Sequence, residues 1–262
     1  MEFSQAWLRS VAEVLTYGAY VAPRGKPTKE IPQRTMKVDM RRPVLTVAER
    51  KLSYKFMAAE AFWILKGSDL VSEIKDYNAH ISQFSDDGER FFGAYGPKIV
   101  GQLDYVVAKL RADNDTRQAG LTIWRENPPE TKDVPCTVAV FFNIRNKKLN
   151  CHVFMRSSDV WLGVPYDVFN FSMLSHLVCG RLNFDRLSTD VFEPGTLFLT
   201  AASSHLYQTN WEAADKCILV TDVPEQPETP KVMWNDHWHL MELLERLRDS
   251  KPGDQDRWWE QR

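Results

Sequence analysis

The run CTVAVFFNIRNKKLNCHVFM, residues 136–155, constrains this chain more than any other. Two β-branched, aromatic-rich segments flank a polar RNKK turn, the pattern of an antiparallel hairpin. Apolar residues alternate along both arms, so one face of the hairpin has to be covered. Helices supply the cover. Residues 49–66, ERKLSYKFMAAEAFWILK, put Leu52, Phe56, Ala59 and Trp63 on one helical face, with Gly67 as the stop. A first helix carries Phe3, Trp7, Val11 and Leu15 and ends near Tyr17-Gly18; further helices are expected at 69–79, 98–112 and 168–179, the last closed by Gly180. Residues 21–47, VAPRGKPTKEIPQRTMKVDMRRPVLTV, read as loop and short strands, and TLFLTA as a buried strand. With no repeat and no break in composition, the mixture predicts one α+β domain over residues 1–262.

A hydrophobic content of 44% and a charged content of 26% describe an ordered globular chain, and a formal charge of −2 gives no bulk attraction to nucleic acid or membrane. Cys136, Cys151, Cys179 and Cys217 form no CxxC pair, which fits a reducing cytoplasm. No apolar run reaches the ~20 residues of a membrane span, and the amphipathic amino terminus is unlike a signal peptide. The expectation is a cytoplasmic protein with a small-molecule partner, no membrane or nucleic-acid partner and no metal.

Cys136 follows Asp-Val-Pro at a loop-to-strand junction, where a side chain can face a cleft, whereas the other three cysteines sit inside apolar patterns. A thiol becomes nucleophilic when a cation lowers its pKa, and Arg156 ends the neighbouring arm of the hairpin. Glu60 lies at the edge of an apolar helix face, where burial raises a carboxyl toward the range useful for proton transfer. His205 and Tyr207, in SSHLYQTN, are either partners for a sugar hydroxyl or ordinary loop residues. Arg24, Arg50, Arg117 and Arg156 make a phosphate site only if the fold gathers them.

Taken in order, EAFWILKG around Glu60, GAYG at Tyr95, DTRQAGLTIW at Arg117, DVPC at Cys136, RSSDVWLGVPYD and SSHLY resemble the thymidylate synthase family, from about Arg24 to Asn210. That family includes nucleotide hydroxymethylases encoded by some phages. The resemblance implies a large twisted mixed β-sheet flanked by helices, and a homodimer in which each site borrows an arginine. It implies that Cys136 adds to C6 of a pyrimidine nucleotide while Glu60 moves protons and organises water. Arg24, Arg156 and Ser157 correspond to phosphate ligands, Ser158 to a further nucleotide-binding residue, Arg117 to the arginine lent by the partner, and His205 and Tyr207 to the ribose-hydroxyl pair. Asp159, Leu162, Gly163 and Tyr166 correspond to the folate-contacting stretch, and 5,10-methylenetetrahydrofolate is the implied one-carbon co-substrate.

Departures from the synthase pattern sharpen the expectation. Asp167 stands where synthases have an asparagine that reads uracil. A carboxylate accepts from the cytosine amino group, and a proton shared with ring N3 satisfies that atom too. An ionised Asp167 opposed to uracil O4 leaves like groups facing each other, a mismatch of ~1–3 kcal/mol per contact. On the residues alone, a cap for the helix that follows is the preferred reading of Asp167; the resemblance implies the base-reading role instead. Ser82 falls where a synthase keeps a tryptophan that shields the exocyclic methylene from water, so water capture is favoured over hydride transfer. Gln118, Thr137 and Met155 replace residues common in synthases, and MRS with Cys-Thr is similar to phage deoxycytidylate hydroxymethylases. The carboxyl-terminal KPGDQDRWWEQR does not match the usual synthase tail. The expected activity is 5-hydroxymethylation of dCMP, with dCMP methylation, dUMP methylation and a non-catalytic nucleotide- or RNA-binding role as the alternatives.

Overall fold

The computed structural model describes residues 2–184, 191–223 and 225–260. Its elements run α1 (Phe3–Tyr17), β1 (Ala19–Val21), β2 (Thr28–Asp39), α2 (Tyr54–Leu65), α3 (Tyr95–Ala112), β3 (Gly120–Thr122), β4 (Thr137–Arg145), β5 (Lys148–Met155) and β6 (Ser158–Asp159), then α4 (Val164–Asn183), β7 (Glu193–Tyr207), α5 (Trp211–Ile218), α6 (Val232–Asn235) and α7 (His237–Asp249). The hairpin forms as its pattern demands. Arg145 pairs with Lys148, and Asn146 and Lys147 between them take φ of 53° and 61°, the left-handed pair of a two-residue turn matched to strand twist.

The sheet order is β1-β2-β7-β5-β4-β3, with β6 added beside β7. Both β5 and β6 run parallel to β7, and the other pairings are antiparallel, so the sheet is mixed. A parallel β5–β7 pair needs a crossover, and α4 provides it. One sheet face, with Val140, Phe142, Ile144, Leu149, Cys151, Val153, Leu197 and Leu199, is buried. Helix α4 lies against β5 and β7, and α2, α6 and α7 pack on α4 in turn. The helix is therefore apolar almost all round and buried along most of its length.

Several expectations are corrected. The 49–66 helix is shorter: Ala48–Arg50 is a separate 3-10 turn, and Ser53 caps α2 by accepting from Phe56 N at 3.3 Å. No α-helix forms at 69–79; two 3-10 turns, Val71–Glu73 and Ala79–Phe84, replace it. Residues 28–39 form one twelve-residue strand, with Pro32 opposite Ser203 and a left-handed Gln33 (φ 50°) interrupting the alternation. Helix α4 starts at Val164, four residues early, and runs through Gly180. That glycine is a contact, not a stop: a Cβ there meets His237 N at 2.7 Å. No helix among the described residues is long and apolar enough to cross a membrane.

Candidate active site

The ends of the central strands and the start of α4 converge on a cleft of about 730 Å³. Cys136 sits just before β4 and Arg156 just after β5, locked together by Arg156 N donating to Cys136 O at 2.9 Å. The guanidinium is held by Nε to Pro135 O at 3.0 Å and Nη2 to Val134 O at 2.9 Å. This places Nη2 3.6 Å from Cys136 Sγ and Nη1 3.0 Å from Ser157 Oγ, whose hydroxyl is 3.7 Å from the same sulfur. The pairing expected of hairpin neighbours is present, but the cation does not prevail. Burial pushes the thiol up, with Asp167 and Asp133 adding to it, and Arg156 and Ser157 only partly reverse the shift.

Across the cleft, Glu60 of α2 and Asp167 of α4 lie deep in the protein while keeping an opening to the cleft. Burial raises Glu60 to about 7, and an amide hydrogen bond from Asn170 Nδ2 to Oε2 at 2.7 Å pulls the other way. Asp167 is raised well above the ordinary carboxyl range, first by burial and then by the neighbouring Glu60 and Asp159. Burial and the neighbouring acids both favour the neutral form of Asp167. Asp167 is not the helix cap. It belongs to the first turn of α4, whose N-cap is Gly163, and its Oδ2 lies 3.2 Å from where a Gly163 Cβ would stand.

A third wall is polar and under-satisfied. Strand β6 pairs Ser158 with Ser204 and Asp159 with His205, aligning them beside Tyr207. Asp159 Oδ1 accepts from Trp161 N and Leu162 N at 2.8 and 2.9 Å, and its Oδ2 has no partner among the described residues. Ser158 Oγ and His205 Nδ1 are buried in the same condition. Orphaned buried polar atoms cost ~1–3 kcal/mol each unless something supplies the bond, and three facing one cleft mark a polar ligand.

Thirteen of the expected residues line this cleft: Arg24, Glu60, Cys136, Arg156, Ser157, Ser158, Asp159, Leu162, Gly163, Tyr166, Asp167, His205 and Tyr207. Arg24 sits at its mouth in a tight turn with left-handed φ of 53°. Ser82 does not line it; its neighbours Ile81, Gln83 and Phe84 do, from the Ala79–Phe84 turn. Arg117 is exposed and stands outside the cleft of its own chain. Arg50 also lines the cleft, anchored on Trp161 O by Nε and Nη2 at 3.1 and 2.8 Å. The site thus pairs a thiol with an arginine, and two buried acids with an anion-binding mouth, an arrangement suited to nucleophilic addition on a phosphorylated heterocycle.

A sequence model of the family described as thymidylate synthase matches residues 5–242. The chain belongs to the thymidylate synthase family. Among its relatives, the deoxyuridylate hydroxymethyltransferase of Bacillus phage SP01 is 31% identical over 235 residues, which cover 80% of this chain and 58% of the phage protein. The chain therefore spans less than two thirds of the length of that relative.

Family membership asks whether a folate fits. The orphaned Asp159 Oδ2, beside exposed Leu162 and half-buried Tyr166, offers an acceptor and an apolar platform on one side of the cleft, and these residues fit a pterin ring. The tail stands apart from it. Trp258 and Trp259 are buried, edge to face at 4.7 Å, with Trp259 against Tyr54 at 5.3 Å, and neither lines the cleft. Gln261 and Arg262 lie outside the described residues. Asn170 and Tyr95, which surround the reacting groups, have no distinct signal in the sequence. Asn170 is an ordinary polar residue in an apolar helix until the fold sets it against Glu60, 110 positions away. Tyr95 was read only as part of GAYG, yet its hydroxyl receives both Thr137 N at 3.2 Å and Thr137 Oγ1 at 3.1 Å behind the thiol.

Proposed function

We infer that the protein is a deoxycytidylate 5-hydroxymethyltransferase that works as a homodimer. The observation carrying the base preference is Asp167, a buried carboxyl in the same cleft as the Cys136 thiol, whose neutral form burial favours. A neutral carboxyl donates to cytosine N3 and accepts from the amino group at C4. When Cys136 adds to C6, charge flows to the C4–N3 edge, and ring N3 takes the Asp167 proton outright. A neutral Asp167 also fits uracil by donating to O4 and accepting from N3–H, so discrimination rests on proton transfer, which cytosine N3 accepts and uracil N3 does not.

The remaining roles follow from position. Arg24, Arg156, Ser157 and Ser158 hold the phosphate, with Arg117 supplied by the partner, and His205 and Tyr207 hold the ribose hydroxyl. Gly163 lets the Asp167 carboxyl pass, while Asp159, Leu162 and Tyr166 seat the folate. Methylenetetrahydrofolate, when bound, supplies one carbon at the formaldehyde level. Glu60, titrating at about 7, exists in both forms near neutrality and so gives and takes protons at C5 and at water. Water capture is favoured by Phe84, which is exposed at the rim in place of a buried aromatic shield; Ser82 lies outside the cleft. A relative named for hydroxymethyl transfer to deoxyuridylate supports the same outcome at the methylene. The dimer reading is supported by the outer sheet face, where Phe141 and Phe154 meet edge to face at 6.4 Å while both are exposed.

Incubation with methylenetetrahydrofolate and dCMP, dUMP or CMP tests the proposal. The expected product is dCMP heavier by CH2O, with no dihydrofolate absorbance. A product heavier by CH2 with dihydrofolate identifies methylation and rejects water capture; CMP turned over faster than dCMP rejects the deoxyribose assignment.

A further inference from the structure

Beside the main cleft lies a second, smaller cavity of about 160 Å³, lined by Glu60, Tyr95, Asp133, Asp167 and Asn170, with Phe84 shared between the two. Its volume is several times the ~10–15 Å³ that one water needs, and polar groups enter it from several elements. Asn170 is the unexpected member. It is 6% exposed, its Nδ2 donates to Glu60 Oε2 at 2.7 Å, and its Oδ1 is buried without a partner among the described residues. Reached from α4, the amide touches α2 at one carboxylate oxygen, and Asn170 lines the chamber with a buried acceptor left over.

We propose that Asn170 is the positioning residue for the water that becomes the hydroxyl group. With Oε2 occupied by the amide, Oε1 of Glu60 is the oxygen left to take a proton. A water held by Asn170 Oδ1 then lies beside Oε1. In the step itself the water oxygen bonds to the exocyclic methylene carbon of the nucleotide. The C5=CH2 electron pair moves into the ring, the Cys136 Sγ–C6 bond breaks to restore C5=C6, and sulfur leaves as thiolate. The water proton passes to Glu60. Nothing is oxidised or reduced, and no reductant is required. The nature of this step rests on the hydroxymethyl reading; the Asn170–Glu60 geometry does not.

Glu60 is faced by Asp167 and Tyr166 from α4, by Tyr95 from α3 and by Asp133 from the loop before β4, none of which replaces the amide donor. Removing that donor withdraws the interaction that favours the carboxylate, so the pKa of Glu60 rises. Carbon-13 carboxyl NMR of glutamate-labelled protein, assigned through Glu60→Gln, measures this without substrate. Asn170→Ala should raise the Glu60 midpoint by about one pH unit, the size of one hydrogen bond to a charged group. Asn170→Ser, whose hydroxyl restores a donor, should return it part of the way. With dCMP and methylenetetrahydrofolate, hydroxymethyl product should fall about tenfold more than tritium release from C5, and the acid limb of the rate profile should move up with the carboxyl. A Glu60 titration unchanged or lowered in well-folded Asn170→Ala overturns the assignment, as does an equal loss of tritium release and product. Wild-type protein that makes no hydroxymethyl product rejects the proposed function instead, and the titration still judges Asn170.

Discussion

At the level of single residues, the chemistry depends on which of two buried acids holds a proton. Asp167 is raised first by burial and then by Glu60 and Asp159, which favours its neutral form, while burial raises Glu60 to about 7. This has a pH signature with a definite sign. Uracil is accepted only while Asp167 is neutral, because an ionised carboxyl opposes O4. Residual use of dUMP relative to dCMP should therefore decline as pH rises, while cytosine, able to share the proton at N3, loses less. Asp167→Asn replaces the titrating group with a fixed amide that matches uracil. It should move the ratio of kcat/KM toward dUMP by about ten- to a hundredfold, the worth of ~1–3 kcal/mol, and remove its pH dependence. Competition assays with both nucleotides across pH 6 to 9, a window of about three units around neutrality, measure the two effects together. A ratio flat with pH in the unsubstituted protein removes proton transfer as the source of selectivity.

Secondary-structure elements show which signals a sequence carries and which only packing supplies. Two glycines in long helices make the point as a prediction. Gly101 on α3 is exposed with open space around its Cβ position, so Gly101→Ala should stabilise the protein by about 0.5–1 kcal/mol through backbone entropy alone. Gly180 on α4 faces the backbone at the start of α7, with His237 N at 2.7 Å, so Gly180→Ala should destabilise by roughly 1–3 kcal/mol despite better helix propensity. Urea unfolding midpoints of the two variants should move in opposite directions; a stabilised Gly180→Ala would mean that α7 yields easily. The sequence reading took Gly180 as a terminator because a glycine after an apolar run looks the same whether it ends a helix or admits a neighbour. The hairpin, α1 and α2 were legible because alternation and helical spacing are local. Helix α7 went unread although Asp236, which accepts from Trp238 N at 2.8 Å, is an ordinary capping signal. The β2 strand was hidden by Pro32 and Gln33. Motif order located most of the cleft residues, since loops that meet at one cleft carry distinctive residue strings. The Asn170–Glu60 contact was not legible, because it arises from burial beside a residue far away in the chain.

For the molecule as a whole, the cleft of one chain holds a thiol, three acids and several arginines, while Arg117 stands exposed elsewhere on the surface. On the outer face of the sheet, His152 stacks on Phe198 at 4.7 Å beside Phe141 and Phe154. An apolar patch on a sheet face is best covered by a second copy of itself, since a two-fold interface is self-complementary. If the partner lends Arg117, then each active site combines residues from two chains, and defects on different chains can compensate. Cys136→Ala and Arg117→Ala homodimers should both be severely impaired. After mixing, unfolding and refolding together, random pairing makes about half the dimers mixed, and each of these has one site with both native residues, so activity should recover to about a quarter of the unsubstituted level. Phe141→Asp with Phe154→Asp should shift the protein toward monomer in sedimentation and abolish this recovery, because a charge on each strand opposes burial of the face. Mixed protein that stays as inactive as its parents, while sedimenting as a dimer, would mean that Arg117 serves no neighbouring site and that each cleft works with its own arginines.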